Sequence, residues 1–156
     1  GYSIVERRAK LKEEYLGLSG PQIVALKKAG TEITHTISIP LMTYLGDTMA
    51  GDFLNLDHVK NSKVLITECT FFDPEHHDRA RAGKHFHIDQ LAGLLERMDN
   101  EQILLTHLSR RTDRRSARKA IAKCLGDTIA HRVHFLMDGS RRVPQIDPKP
   151  DDSTDA

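Results

Sequence analysis

Three short apolar runs in this chain each stop at a residue able to bind a metal or move a proton. Leu41–Leu45 gives way to Gly46-Asp47-Thr48, Val64–Thr67 ends in Glu68, and Ile103–Thr106 ends in His107. Carboxylates and imidazoles ligate borderline and hard cations and shuttle protons near neutrality. A further pair, His85 and His87, lies just before a helical pattern that begins near Ile88. Each position taken singly also has a plain structural reading. Gly-Asp-Thr recurs as Gly126-Asp127-Thr128 after a helical stretch, where it suits a C-cap turn. Glu68 suits a cap or an arginine partner, His85 and His87 suit capping or surface roles, and His107 suits a satisfied core residue. Their joint placement favours chemistry, because open α/β sheets build their sites in the loops beyond the carboxyl ends of strands.

Other polar groups are less pointed. His76 and His77, with Asp73, Glu75 and Asp78, suit either a second metal site or a solvated charged loop. His35, His58, His131 and His134 have no supporting partners in sequence and read as structural. Past His107 comes a basic run of Arg110, Arg111, Arg114, Arg115, Arg118 and Lys119, opposed only by Asp113. At helical spacing Arg111, Arg114, Arg115 and Arg118 share one face. That face is either simply solvated or a contact for a phosphate backbone; its start within three residues of His107 favours the second.

The elements that must position these groups follow from pattern. Tyr2–Glu6 reads as a short strand and Arg7–Leu16 as a short helix. Gly17-Leu18-Ser19-Gly20-Pro21 is a turn with helix-start chemistry, and the helix it opens runs to Ala29 and stops at Gly30. Thr31–Ile39 reads as a strand or hairpin interrupted by Pro40. Leu41–Leu45 is then a strand, Asp57–Asn61 a helix, and Lys63–Glu68 a buried strand. Phe72–Lys84 reads as a polar loop, Ile88–Met98 as a helix, and Gln102–Thr106 as another buried strand. Arg111–Leu125 follows as a helix and Val133–Met137 as a last strand. Alternation of strands with helices predicts an α/β sheet with crossover connections. From Val143 onward Pro, Asp, Lys and Ser dominate, so 143–156 is expected to be a disordered acidic tail.

Composition bounds the rest. The chain has 156 residues, 23 Lys+Arg against 22 Asp+Glu, nine His, two Cys and no Trp. With 38% hydrophobic residues it can fill a core. No apolar run approaches the roughly 18 residues of a membrane-crossing helix, and no basic-then-apolar leader opens the chain. A net charge of +1 excludes a globally basic nucleic-acid binder but permits a local basic patch. Cys69 and Cys124 are too few for a disulfide framework, so a reducing, cytoplasmic setting is the default. The chain opens at Gly1 with a strand already under way. The expectation is either a removed tag or a piece of a longer protein.

The motifs in series resemble one family. Tyr44-Leu45-Gly46-Asp47-Thr48, Thr67-Glu68-Cys69-Thr70-Phe71, His85 through Ala92, and Thr106-His107-Leu108-Ser109-Arg110-Arg111 are similar to metallo-β-lactamase-fold hydrolases, most of all the ribonuclease Z branch, the tRNA 3′-processing endonucleases. Gly1-Tyr2-Ser3-Ile4-Val5-Glu6 and a helical insert over 7–30 resemble that branch too. Four positions depart: Cys69 stands where Ala is usual, Phe86-His87 where Ser-Thr is usual, and Thr112 where Tyr is usual. The family's His-x-His-x-Asp-His metal motif is absent. The resemblance therefore implies the carboxyl-terminal half of an αββα metallo-β-lactamase-type sandwich, over 1–142, lacking its amino-terminal half.

By the same resemblance Asp47 would bridge two zinc ions and His107 would ligate one, with cleavage by a metal-bound hydroxide. His85 would act at the scissile phosphate or protonate the leaving 3′-oxygen, with Glu68 orienting it. Ser109, Arg111, Arg114 and Arg115 would hold the RNA. The whole protein would be a homodimer acting on tRNA precursors, while this chain alone would be inactive, since two protein ligands rarely hold zinc. Two alternatives stand beside it: a hydrolase of this fold with another substrate, and a metal-free scaffold or interaction module with an exposed apolar sheet face.

Overall fold

The computed structural model describes residues 1–136. Its elements run β1 (Tyr2–Leu11), α1 (Gly20–Lys28), β2 (Thr34–Tyr44), α2 (Asp57–Lys60), β3 (Val64–Glu68), α3 (His77–Gly83), α4 (Ile88–Leu95), β4 (Gln102–Thr106), α5 (Arg114–Ala130) and β5 (Val133–Phe135). The five strands form one sheet in sequence order, β1-β2-β3-β4-β5. From β2 onward every pairing is parallel: Tyr44 lies opposite Ile66, Ile66 opposite Leu104, and Leu104 opposite His134. Parallel neighbours need crossovers, and α2, α3 with α4, and α5 supply them. The expected α/β architecture is present. The acidic tail from Val143 and the end of the strand expected over Val133–Met137 lie outside the described residues.

The chain divides into two compact units. Among the described residues, one holds Gly1–Glu6 and residues 40–136, and the other holds Arg7–Ile39. In the first, β3 and β4 bury alternate residues, so Leu65, Ile103 and Leu105 join Val133 and Phe135 on one face. Against them pack Ile88, Leu91 and Leu95 of α4 and Ala117, Ile121 and Leu125 of α5. Burying a large aliphatic side chain of this kind contributes about 1.5–3 kcal/mol. Val64, Ile66 and Leu104, which alternation sets on the opposite face, are only half-buried. The Arg132 guanidinium closes the turn after α4 by donating to the carbonyls of Leu95, Met98 and Asn100 at 2.7–2.8 Å.

In the second unit α1 begins at a capping box. The Ser19 amide donates to Gln22 Oε1 at 2.8 Å, and Pro21 occupies the first turn. None of the α1 residues is buried.

Four sequence expectations need correction. Arg7–Leu16 is not a helix: β1 continues to Leu11, and a short 3₁₀ turn follows at Glu13–Tyr15. Pairing within a sheet overrides the helix preference of its charged residues, and the Lys12 amide donates to the Ile33 carbonyl at 2.9 Å. Pro40 does not interrupt β2, which runs through it to Tyr44. Proline lacks only the donor, and its carbonyl accepts from the Lys63 amide at 3.1 Å. Phe72–Lys84 is mostly helical: Asp73 caps a 3₁₀ turn at Pro74–His76, and α3 continues it. Finally, the basic helix starts at Arg114, capped by Asp113, whose side chain accepts from the Ser116 amide at 3.1 Å. Arg111 therefore lies in the preceding turn, outside the helical face that the spacing had assigned to it. The turn at Gly126-Asp127-Thr128 is a kink inside α5, with Gly126 at φ +64° in the left-handed region that glycine tolerates.

Candidate functional site

Parallel register puts the carboxyl ends of β2, β3 and β4 along one edge, since Tyr44 is level with Ile66 and Glu68 is level with Thr106. Asp47, Glu68 and His107 therefore leave the sheet at the same edge, as their sequence positions implied. His85 arrives from the other side, through the connection between α3 and α4. Backbone bonds hold that connection against the strand-β3 exit: Phe71 N donates to Phe86 O, and Ile88 N donates to Phe71 O at 2.9 Å.

Glu68 is fully buried, and both of its carboxylate oxygens have partners. Oε1 accepts from the Phe86 amide at 3.0 Å and faces His85 Nδ1 at 2.9 Å. Oε2 accepts from the Thr70 hydroxyl at 2.7 Å. Three donors to a carboxylate suit a buried charge far better than solvation lost without replacement. With its oxygens so engaged, Glu68 can orient His85, and it lies in a cluster with His85 and His107 whose donor atoms fall within 4.8 Å.

The Thr70 hydroxyl decides what His107 presents. Its one proton goes to Glu68, so toward His107 Nδ1, 2.9 Å away, it can only accept. Nδ1 of His107 then carries a proton, so that in the neutral imidazole Nε2 keeps its lone pair. That lone pair faces Asp47 Oδ2 at 3.4 Å. Two electron-rich atoms at this separation are placed for a shared cation: ligands about 2.0–2.1 Å from one tetrahedral zinc lie roughly 3.3 Å apart. Likewise His85 donates from Nδ1 to Glu68 and leaves Nε2 free, with its ring 4.8 Å from the ring of His107. One buried carboxylate thus sets both tautomers, directly in one case and through a hydroxyl in the other.

Backbone conformation marks the same place. Among the described residues, the non-glycine positions with positive φ are Lys84 and His107, both at +56°. A side chain in the left-handed region costs about 1–2 kcal/mol, and such strain collects at functional sites. Lys84 ends α3 in this conformation and turns the chain so that His85 meets Glu68.

Other nominated residues fall as follows. The Ser109 hydroxyl accepts from the Arg111 amide at 3.4 Å, so it shapes the turn after His107. Arg111, Arg114 and Arg115 are exposed. Arg118 lies over the Phe135 ring at 5.6 Å. His87 caps α4: its Nδ1 accepts from the Asp89 amide at 3.3 Å, so the capping reading of this residue holds. The group suggested by His76, His77, Asp73, Glu75 and Asp78 does not assemble. His76 packs on Phe71 and faces Arg79, Asp73 caps a turn, and among the described residues only His77 of this group meets metal-capable partners, His87 and Asp89. Thr70 went unassigned in sequence; its signal was its place two residues beyond Glu68, on the same side of the chain.

Neither cysteine is poised as a nucleophile. Burial, then the neighbouring Glu68 charge, holds the Cys69 thiol well above its ordinary value. Burial and the Asp89 carboxylate raise Cys124. A cavity of about 510 Å³ opens beside Tyr2, Tyr44, Leu45 and Phe53 and does not include His85 or His107. Among the described residues, no helix is long and apolar enough to cross a membrane.

Comparison with known proteins agrees with the motif series. No protein-family model matches the chain. A tRNase Z of Arabidopsis thaliana is 37% identical over 143 residues, covering 89% of this chain and 50% of the relative. A second, chloroplastic tRNase Z of the same plant is 38% identical over 145 residues, covering 90% of this chain and 40% of the relative. Among solved structures, the metallo-β-lactamase fold protein YhfI of Bacillus subtilis aligns with 67% of this chain and 42% of its own, at TM-score 0.48 and 17% identity. The chain spans about half the length, or less, of the curated relatives it matches. By sequence, the chain is a relative of the tRNase Z (ribonuclease Z) proteins, built on an α/β sheet.

Proposed function

We propose that this chain is the carboxyl-terminal part of a metal-dependent endoribonuclease that cuts tRNA precursors at their 3′ ends. The observation that supports it most is the continuous series Asp47, His107, Thr70, Glu68 and His85 at one sheet edge. Asp47 and His107 are the residues that would hold zinc, and the lone pairs aimed at one another fit that role. Zinc, when bound, supplies Lewis acidity toward a phosphodiester and lowers the pKa of water for attack. Two protein ligands rarely suffice for zinc; further ligands are therefore sought in the remaining length that the relatives possess.

The remaining roles belong to this chain's own groups. Glu68, already engaged by three donors, fixes His85 so that Nε2 faces the open edge. A protonated His85 donates that proton to the departing 3′-oxygen, and the buried Glu68 carboxylate stabilises the imidazolium while it exists. Ser109 and Arg111 shape the floor of the edge, and Arg114 and Arg115 contact the RNA backbone. Proton donation to the 3′-oxygen requires products ending in a 3′-hydroxyl and a 5′-phosphate. The test is end analysis of RNA cut by the full-length gene product, beside His85→Ala. A 2′,3′-cyclic phosphate, or unchanged cleavage by His85→Ala, would remove the proposed mechanism.

A further inference from the structure

A second group of donor atoms lies outside this edge. His77 opens α3, His87 precedes α4, and Asp89 sits in the first turn of α4. His77 Nε2 is 3.0 Å from Asp89 Oδ2, His87 Nδ1 is 3.4 Å from the same oxygen, and all three atoms lie within 4.8 Å of one another. The two imidazoles stack at 3.8 Å between centroids. We propose that His77, His87 and Asp89 form a binding site for a zinc-type divalent ion.

The tautomer of His87 carries the argument. Its Nε2 lies 2.9 Å from the carbonyl oxygen of Asp73, which can only accept, so the ring proton sits there. Nδ1 is then a lone pair, as its long 3.3 Å bond from the Asp89 amide also requires. The ring is 1% exposed, so water cannot readily satisfy it. Its lone pair faces a carboxylate oxygen that has no proton to give. Nδ1 and Oδ2, 3.4 Å apart, are both acceptors, and a cation between them would take the place of the long Asp89 amide bond and of the His77 contact at 3.0 Å. The separations of 3.0 and 3.4 Å match the roughly 3.3 Å edge of a tetrahedron with bonds near 2.0–2.1 Å. Two imidazoles with a carboxylate suit zinc in preference to calcium or magnesium. The carboxylate is also held ready: the Cys124 thiol donates to Asp89 Oδ1 at 3.3 Å and leaves Oδ2 for the ion. Bound there, the ion would clasp the start of α3 to the start of α4, and the segment between them carries His85.

This site does not depend on the nuclease reading, and the experiment keeps the two apart. Zinc is titrated calorimetrically into the whole chain carrying Asp47→Ala and His107→Ala, which disables the sheet-edge site. One equivalent is expected to bind and to raise the melting midpoint. Adding His77→Ala, or separately Asp89→Asn, should weaken binding at least tenfold; both side chains are half exposed, so the fold should survive. Imidazole NMR of the unsubstituted chain supplies a reading free of substitutions, with zinc shifting His77 and His87 together. No zinc bound in the disabled background, affinity indifferent to His77→Ala, or unshifted His77 and His87 signals would each overturn the proposal.

Discussion

Replacing Thr70 with valine removes one hydroxyl and keeps the branched shape, so it tests the relay at the sheet edge with little change in packing. Thr70 is 7% exposed, and its hydroxyl is the link between Glu68 Oε2 at 2.7 Å and His107 Nδ1 at 2.9 Å. A hydrogen bond to a charged group contributes roughly 1.5–3 kcal/mol. At about 2–4 °C per kcal/mol for a chain of this size, the melting midpoint should fall by roughly 3–12 °C. The second effect is on the metal edge. His107 holds a left-handed backbone at φ +56° and would lose the acceptor that fixes its tautomer. Losing such an outer partner typically weakens metal affinity about 10–100-fold. Calorimetric zinc titration of the full-length gene product, with thermal melts of the same samples, reads both effects, and Thr70→Ser should recover most of each. If Thr70→Val matches Thr70→Ser in midpoint and zinc affinity, the hydroxyl orients nothing and the reasoning from Glu68 to His107 is wrong.

Three further outcomes can be checked. RNA binding by the full-length gene product should weaken steeply with salt, and Arg114→Ala with Arg115→Ala should lower the log–log slope by about 1.4–1.8; an unchanged slope would leave the basic helix merely solvated. Burial, with smaller contributions from Arg118 and His131, holds the His134 imidazole below its ordinary value, and its Nε2 has no partner. The unfolded chain therefore binds a proton first, so stability is lost as pH falls from about 6.5 through the lowered folded value. His134→Gln should flatten the stability curve over that window, and an equally steep variant would refute the assignment. In thiol labelling of the native chain, Cys124 should react slowly and Cys69 not at all until denaturant is added; equal rates for both would contradict the burial of Cys69.

The parts of the sheet legible in sequence were those written in local pattern. β3 and β4 are short β-branched or aliphatic runs bounded by polar residues, and α4 carries Ile88, Leu91, Ala92 and Leu95 at helical spacing, so pattern and structure coincide. The shared edge was legible as well, because consecutive parallel strands joined by crossovers expose their carboxyl ends together. Where contacts are distant, pattern failed. Arg7–Leu11 has the composition of a solvated helix and becomes strand through pairing with a segment more than twenty residues away. The charge density of Phe72–Lys84 concealed Asp73-Pro74, a cap followed by a first-turn proline, which is a helix-start signal. In the site, residue types nominated Asp47, Glu68, His85 and His107, but not the hydroxyl that joins them. A threonine two residues after a glutamate is common; only the fold brings it within reach of a histidine 37 residues later. The pairing of His77 with His87 and Asp89 was hidden for the same reason, since a helix lies between them.

The central claim is most directly tested by cleavage of a 3′-extended tRNA precursor by the full-length gene product, with zinc supplied or removed by chelation. Endonucleolytic release of the 3′ extension is expected with zinc, lost on chelation, and reduced by orders of magnitude in Asp47→Ala and in His107→Ala. Cleavage that persists in Asp47→Ala, or a precursor left intact by the zinc-loaded protein, would contradict it.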